Sequence, residues 1–161
     1  MGSSVVFIDT NVLVYAIRPD DPNCDKAARA KHFLSECAKN KVHICIPAIV
    51  AAEFLFGCDS SFEETGKRLQ ENFCIIPFDF EAAIEFRQVV SKQRQRMKPG
   101  ATQPVNSNRE KRFRDCLIIA TALAHKADEL ISFDQDLVTL ALDLGIQARE
   151  PPPSTMLPGF E

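Results

Sequence analysis

The chain has 161 residues, 45% of them hydrophobic, so it can bury one good core and is expected to form a single domain. Its net charge is −3, and its six scattered cysteines contain no C-x-x-C pair, which favours buried thiols over a disulfide framework or a zinc site. Apolar runs fall well short of the ~20 residues of a membrane span, and the N-terminus has no basic leader, so we expect a cytoplasmic protein.

Strand-like and helix-like segments alternate along the first half of the chain. Short apolar runs predict strands, and spaced apolar residues predict amphipathic helices. Proline suits the first turn of a helix, and serine suits the position just before one. In chain order we predict strand 5–9, helix 10–17, helix 25–39, strand 42–46, a helix opened by Pro47, a helix capped by Ser60 or Ser61 and ending before Asn72, and strand 73–77.

The second half continues the alternation after one interruption. Residues 98–108, "KPGATQPVNSN", are rich in proline and polar residues, which predicts a loop. The prolines of the last eleven residues predict an extended tail, so we divide the chain into a domain at 1–150 and a tail at 151–161. The remaining elements are a helix capped by Asp79 from about Phe80 to Met97, a helix from about Arg112 to 126, strand 129–133, helix 134–144 and edge strand 145–149.

Strands that alternate with helices predict an α/β fold, a three-layer α/β/α sandwich with a central, mainly parallel sheet. In such sheets, ligands bind beyond the carboxyl ends of the strands. Functional residues are therefore expected just after the strands.

Four carboxylates interrupt segments that otherwise form the core. They are Asp9 in "VVFIDTNVLVYA", Glu53 in "AIVAAEFLF", Asp115 before "CLIIATALA" and Asp134 after "ELISF". Singly, each has a structural explanation, such as a helix cap or a partner for arginine. Structural roles of this kind do not account for all four together, because clustered buried carboxylates repel one another unless a cation neutralises them.

Oxygen ligands of this kind select Mg²⁺ or Mn²⁺ over zinc. A hard divalent ion beside a basic surface is suited to phosphodiester hydrolysis. We therefore predict a magnesium or manganese site at these four acids.

The bases are concentrated in one segment, residues 92–114, which contains a single acid, Glu110. They indicate either a solvated helix end with a loop or a surface that follows a phosphate backbone, and the acidic site beside them favours the second. The predicted RNA-binding residues are Lys92, Arg94, Arg96, Lys98, Arg109, Lys111, Arg112 and Arg114.

Four motifs in order, "FIDTNVLVYA", "PAIVAAEFLFG", "RFRDCLIIATAL" and "ISFDQDL", resemble those of the PIN-domain ribonucleases, in particular the VapC-type toxins of bacterial toxin–antitoxin pairs. The resemblance covers residues 5–148. It implies a metal-dependent endoribonuclease with a PIN-like sandwich. It also implies a homodimer and a VapB-like antitoxin whose C-terminal segment occupies the active-site groove.

Carried over residue by residue, Asp9, Glu53, Asp115 and Asp134 match the acidic quartet of the family. The resemblance implies Asp9 and Asp115 as direct metal ligands, with the other two binding directly or through water.

Three further residues are candidates for supporting the quartet. Asn11 fits the "DTN" signature and Ser132 stands where the family commonly has threonine, so either can orient a site carboxylate. Asp136 either completes the fourth motif or faces solvent. The basic residue that usually precedes the third acid is Lys111 or Arg112.

Three alternatives are weighed against the nuclease. A haloacid-dehalogenase-type phosphatase needs a second Asp where Asn11 stands, and a receiver domain needs an acid pair missing from "GSSVVFID". A PIN-like module that binds RNA or protein without cutting is the more serious alternative, although it has no need of four clustered acids. The RNA cut, the number of metal ions and a housekeeping role in RNA processing stay open.

Overall fold

The computed structural model describes residues 4–97 and 106–154, with side chains of the second range from residue 109 onward. Within these residues the chain builds one five-stranded sheet in the order β3-β2-β1-β4-β5. Every strand pair in it is parallel, which confirms the predicted mainly parallel sheet. The strands are β1 Val5–Ile8, β2 His43–Pro47, β3 Cys74–Ile76, β4 Glu129–Ile131 and β5 Gln147–Arg149.

Helices connect and cover these strands, and the α/β sandwich is confirmed. In the second helix the spacing of three and four residues between Ala27, Ala30, Phe33 and Cys37 turns all four side chains into the core. The helices are α1 Thr10–Ile17, α2 Asp25–Lys39, α3 Ala48–Phe56, α4 Phe62–Asn72, α5 Phe80–Arg96, α6 Asn106–Ala124 and α7 Gln135–Asp143. None of the helices described is long and apolar enough to cross a membrane.

The central strand β1 sets the position of the first acid. Phe7 and Ile8 are fully buried, and Ile8 is in register with Ile131 of β4. The chain then leaves the sheet at Asp9, whose backbone N–H donates to the carbonyl of Ile131 at 3.0 Å. Asp9 therefore lies at the carboxyl edge of the sheet, in its middle.

Helices α1 and α3 are joined at their C-terminal ends by Arg18. Its Nη2 donates to the carbonyl of Phe54 at 3.0 Å, its Nη1 donates to the carbonyl of Gly57, and its guanidinium lies 4.6 Å from the centre of the Phe54 ring. Only glycine leaves room for this contact, because a Cβ at position 57 would lie 2.1 Å from Arg18 Nη2. The helix that follows Asp9 is thus fixed against the helix that contains Glu53.

Several boundaries differ from the prediction, most of them by one or two residues. Helix α6 begins at Asn106 rather than near Arg112, so 106–108 are helical instead of loop. Pro47 ends β2 and occupies the cap position of α3 rather than its first helical residue. Helix α4 includes Asn72, and its Ser61 cap makes no side-chain hydrogen bond.

Parts of two predicted segments lie outside the described residues. These are 98–105 of the predicted loop, including Lys98, and 155–161 of the predicted tail. Residues 151–154 of the tail form neither helix nor strand. The six cysteines are free thiols.

Candidate active site

The four predicted acids line one open groove of about 970 Å³ at the carboxyl edge of the sheet. Asp9 follows the central strand β1, and Asp134 follows its neighbour β4 and caps α7. Glu53 reaches the groove from α3 and Asp115 from α6. Four separate elements therefore bring carboxylates to one place, as the sequence predicts.

Asp9 is the most enclosed of the four, with 7% of its surface exposed. Its Oδ1 accepts from the backbone N–H of Thr10 at 2.7 Å, while its Oδ2 accepts from Ser132 Oγ at 2.7 Å and Asn11 Nδ2 at 2.9 Å. Burial raises the pKa of Asp9 in spite of these hydrogen bonds, and the charges of Glu53 and Asp134 raise it further.

Ser132 and Asn11 both contact Asp9 directly, at the positions predicted for supporting residues. Ser132 is fully buried, and its Oγ accepts from the backbone N–H of Asp134 at 2.9 Å while it donates to Asp9. Asn11 Oδ1 accepts from the backbone N–H of Phe133 at 3.1 Å. The two side chains thereby fix Asp9 to the turn that follows β4.

Glu53 is contacted by a threonine and an arginine. Thr10 Oγ1 donates to Glu53 Oε2 at 2.5 Å. Arg114 Nη1 lies 2.5 Å from Oε1 but outside hydrogen-bond geometry, so that this buried oxygen has no hydrogen-bond donor. Thr10 is absent from the sequence prediction, although it is the middle residue of the "DTN" signature.

Asp134 forms an ion pair with Lys111, whose Nζ lies 2.6 Å from Oδ2. Burial alone would raise the pKa of Asp134, but the hydrogen bond and charge of Lys111, with the backbone N–H groups of Leu137 and Asp136, lower it overall. Burial alone would lower the pKa of Lys111, but the hydrogen bond and the charge of Asp134 raise that pKa overall. Of the two candidates for the basic residue before the third acid, Lys111 is the one that contacts the quartet.

Asp115 is the acid of the four whose negative charge is least stabilised by neighbouring groups. Burial is the largest cause that raises its pKa to about 7, followed by the charges of Asp9 and Asp134, while Lys111 and Arg114 only partly oppose the shift. No hydrogen bond to its carboxylate is present among the described side chains. Its charge is the one that a bound cation would relieve most.

Asp136 lies outside the main groove. Its side chain lines a smaller adjoining cavity of about 280 Å³, which shares Lys111 and Asp115 with the groove. Its backbone carbonyl accepts from Arg96 Nη1 at 3.5 Å. Asp136 is exposed, which agrees better with a solvent-facing residue than with a member of the fourth motif's acid site.

The predicted basic residues that are described do not form one surface. Lys111 and Arg114 lie among the acids, and Arg96 and Arg112 line the smaller adjoining cavity. The rest lie away from the acids, with Lys92 and Arg94 in shallow depressions on α5 and Arg109 exposed on α6.

The donor chemistry of the groove fits a hard divalent cation. All four acids offer oxygen only, and Glu53 Oε1 is a buried oxygen with no hydrogen-bond donor. No three His, Cys, Asp or Glu side chains in the described part of the chain are arranged as a ready-made metal site, however. Two of the four acids are engaged by Lys111 and Arg114 instead.

Comparison with known proteins gives one family and a set of similar folds. The PIN domain family model matches residues 6–142. Solved structures with the same fold include a chain of VapBC2 from Rickettsia felis bound to a promoter DNA fragment, with a TM-score of 0.61, 21% identity, and 91% of this chain and 98% of that chain covered. A chain of VapBC-1 from nontypeable Haemophilus influenzae has a TM-score of 0.63 and 15% identity, with 91% of this chain and 97% of that chain covered. A chain of a toxin–antitoxin complex from Klebsiella pneumoniae has a TM-score of 0.57 and 21% identity, with 92% of this chain and 98% of that chain covered. No curated protein matches the chain.

The raised pKa of Asp115 predicts that the stability of the metal-free protein depends on pH. Between pH 3.8 and about 7 the folded chain holds more protons than the unfolded chain, so this group lowers stability as the pH rises through that window. We expect Asp115→Asn to raise the free energy of unfolding by about 2 to 4 kcal/mol at pH 8 and to have little effect near pH 4. Urea denaturation of both proteins in EDTA, at each pH, measures the difference.

The exposed Asp59 provides the matched control, since Asp59→Asn removes the same charge at a residue that does not line the groove. A stability gain that is equal for the two variants, or equal at both pH values, would contradict the assignment.

Proposed function

The chain belongs to the PIN domain family, and from this premise we propose that it is a Mg²⁺- or Mn²⁺-dependent endoribonuclease, the cytoplasmic toxin of a toxin–antitoxin pair. The observation that carries the proposal is the convergence of Asp9, Glu53, Asp115 and Asp134 on one groove. One structural neighbour is a toxin–antitoxin complex from Klebsiella pneumoniae and two others are VapBC2 and VapBC-1, which supports the toxin role. We assign the nuclease domain to residues 1–150 and the tail to 151–161.

In this proposal Asp9 and Asp115 hold the metal ion, because their carboxylates have no partner cation among the described side chains. Ser132 and Asn11 orient Asp9, and their hydrogen bonds keep one of its oxygens turned toward the groove. When bound, the ion supplies Lewis-acid stabilisation of the charge that develops on the phosphodiester and activates water.

The other groove residues bind and orient the substrate. Glu53 is held by Arg114 at Oε1 and by Thr10 at Oε2, and it is proposed to bind the metal ion directly or through water. Arg96 and Arg112 line the adjoining cavity, where they would contact a phosphate on one side of the cleavage site. Lys92, Arg94, Lys98 and Arg109 are proposed to contribute longer-range attraction to RNA. No histidine is among the residues that line the groove, so the chemistry does not depend on imidazole.

Cleavage of total RNA and of a folded tRNA pool tests the nuclease. The full chain is expected to cut RNA with Mg²⁺ or Mn²⁺ and to stop in EDTA. Asp9→Asn and Asp115→Asn should each lower the cleavage rate by at least about 100-fold, because loss of a direct ligand should exceed the 10- to 100-fold cost of losing a supporting residue. Gel analysis of the RNA fragments gives the rates.

Asp59→Asn is again the control and should retain the wild-type rate. Full activity in both site variants would exclude the quartet as the site. RNA binding without cleavage in any metal would instead support the alternative, a non-catalytic PIN-like module that binds RNA or protein.

A second groove, lined by none of the four acids, supports a VapB-like antitoxin as partner and would be a docking site in addition to the active-site groove that the resemblance implies for its C-terminal segment. It has a volume of about 500 Å³ and lies between the end of α1, α2, β2 and α4. Ile17, 51% exposed, stands at its border with Leu34, Ile44 and Leu69. An amphipathic helix of a partner would cover such a surface.

Replacing Ile17 should separate the chain from its inhibitor. We expect tagged wild-type chain, purified from the source organism, to carry a small partner that suppresses RNA cleavage, and Ile17→Asp to be free and active. Leu142→Asp, an equally exposed apolar site outside the groove, should retain the partner. Equal retention by both variants would contradict this docking site.

Exposed aromatic and aliphatic residues on α5 and α6 support the proposed homodimer. Phe80 and Ile84 lie one turn apart on α5 and are 75% and 56% exposed. Phe113 of α6 is also exposed, and its ring packs edge-on against Phe86 at 5.3 Å. Phe80 and Ile84 therefore form an exposed apolar patch on one face of α5, and such a patch is typical of an interface between protomers.

A charge in this patch should prevent dimerisation. Light scattering coupled to size exclusion is expected to give twice the mass of one chain for the wild type and the mass of one chain for Ile84→Lys. Phe62→Lys changes a similarly exposed residue on α4 and should stay dimeric. A monomeric wild type, or a dimeric Ile84→Lys, would exclude this interface.

A further inference from the structure

We propose that Lys111 and Arg114 are internal counter-ions that restrict the acidic groove to one divalent ion per chain. This inference rests on the proposed metal-dependent function and specifies the number of metal ions, which the four carboxylates alone leave open. It also gives these two bases a role different from contact with RNA.

The first argument is the balance of charge. Lys111 and Arg114 lie four residues and one residue before Asp115 on α6, so one helix brings both cations to the groove. Lys111 Nζ lies 2.6 Å from Asp134 Oδ2, and Arg114 Nη1 lies 2.5 Å from Glu53 Oε1. Four negative charges minus these two leave a charge of −2, which one divalent ion neutralises. A second ion would make the site positive.

The second argument is the number of free lone pairs on Asp9. Two-metal sites hold their ions about 3.5 to 4 Å apart, and a carboxylate that bridges them through both oxygens needs a free lone pair on each oxygen. Asp9 Oδ2 already accepts from Ser132 Oγ and Asn11 Nδ2, which fills its two lone pairs. Only Oδ1, which accepts from Thr10 alone, can bind a metal ion. Asp9 therefore cannot bridge two ions through both of its oxygens, and it is assigned to one ion.

The third argument is that Asp134 cannot replace Asp9 as a bridge. Its Oδ1 accepts from the backbone N–H groups of Asp136 and Leu137 at the start of α7, and its Oδ2 is held by Lys111. Asp115 is the single member of the quartet that accepts no hydrogen bond and has no ion pair among the described residues. Asp9 Oδ1 and the Asp115 carboxylate are thus the groups of the quartet that keep lone pairs for a cation.

Counting bound Mn²⁺ tests this directly. Isothermal titration of the full chain, checked by electron paramagnetic resonance of free Mn²⁺, is expected to give one ion for the wild type. Lys111→Gln/Arg114→Gln removes both counter-ions and should bind two. Arg109→Gln removes a charge from the same helix outside the acid groove and should bind one.

Each outcome decides the matter. Two ions in the wild type, or one in the double variant, would overturn the counter-ion role. If the double variant does not fold, Arg114→Gln alone frees Glu53 and is expected to admit the second ion. RNA cleavage with two ions in the wild type would leave the nuclease intact and overturn only this inference. One bound ion without any RNA cleavage would leave this inference intact and overturn the proposed nuclease. No bound ion would overturn both the inference and the proposed nuclease.

Discussion

Repulsion between four carboxylates in one partly buried groove is the constraint to which the rest of the structure responds. Each acid meets it differently. Asp9 is buried and accepts hydrogen bonds from Ser132, Asn11 and Thr10, while Asp134 and Glu53 are paired with Lys111 and Arg114. Asp115 has none of these, and burial, followed by the charges of Asp9 and Asp134, raises its pKa to about 7. The metal-free groove is therefore compensated unevenly, with its least stable charge at the place where a cation is proposed to bind.

The parallel sheet makes this convergence possible. All five strands end at the same edge, so that the residues after β1 and β4 become neighbours although more than 120 positions separate them in the chain. The hydrogen bond between Ser132 and Asp9 is the direct product of that pairing. Arg18 adds a second constraint at the far ends of α1 and α3, which holds the helix of Glu53 beside the helix that Asp9 begins. Strand pairing and helix capping together position the acids before any ligand binds.

The architecture and the convergence of the four acids could be predicted from the sequence, because a carboxylate inside a core-forming segment is conspicuous. The sequence was insufficient for contacts between elements. Nothing in the spacing of Lys111, Arg112 and Arg114 tells which of them turns inward, since that depends on how α6 rotates against the sheet. The start of α6 was missed for a related reason: residues 106–111 contain no apolar side chain, so that the helical period becomes visible only at Phe113. Thr10 was overlooked because its partner, Glu53, is 43 residues away.

Two members of the quartet have a structural role in addition to their proposed chemical role. Asp9 caps α1 and Asp134 caps α7, each through its side-chain oxygen. Asparagine caps a helix about as well as aspartate does, whereas alanine does not. At Asp134, a change to asparagine removes the negative charge while Oδ1 can still accept from the backbone N–H groups at the start of α7. For a chain with the proposed nuclease activity, a single substitution at this position is therefore a route to a binding module that keeps its helix cap.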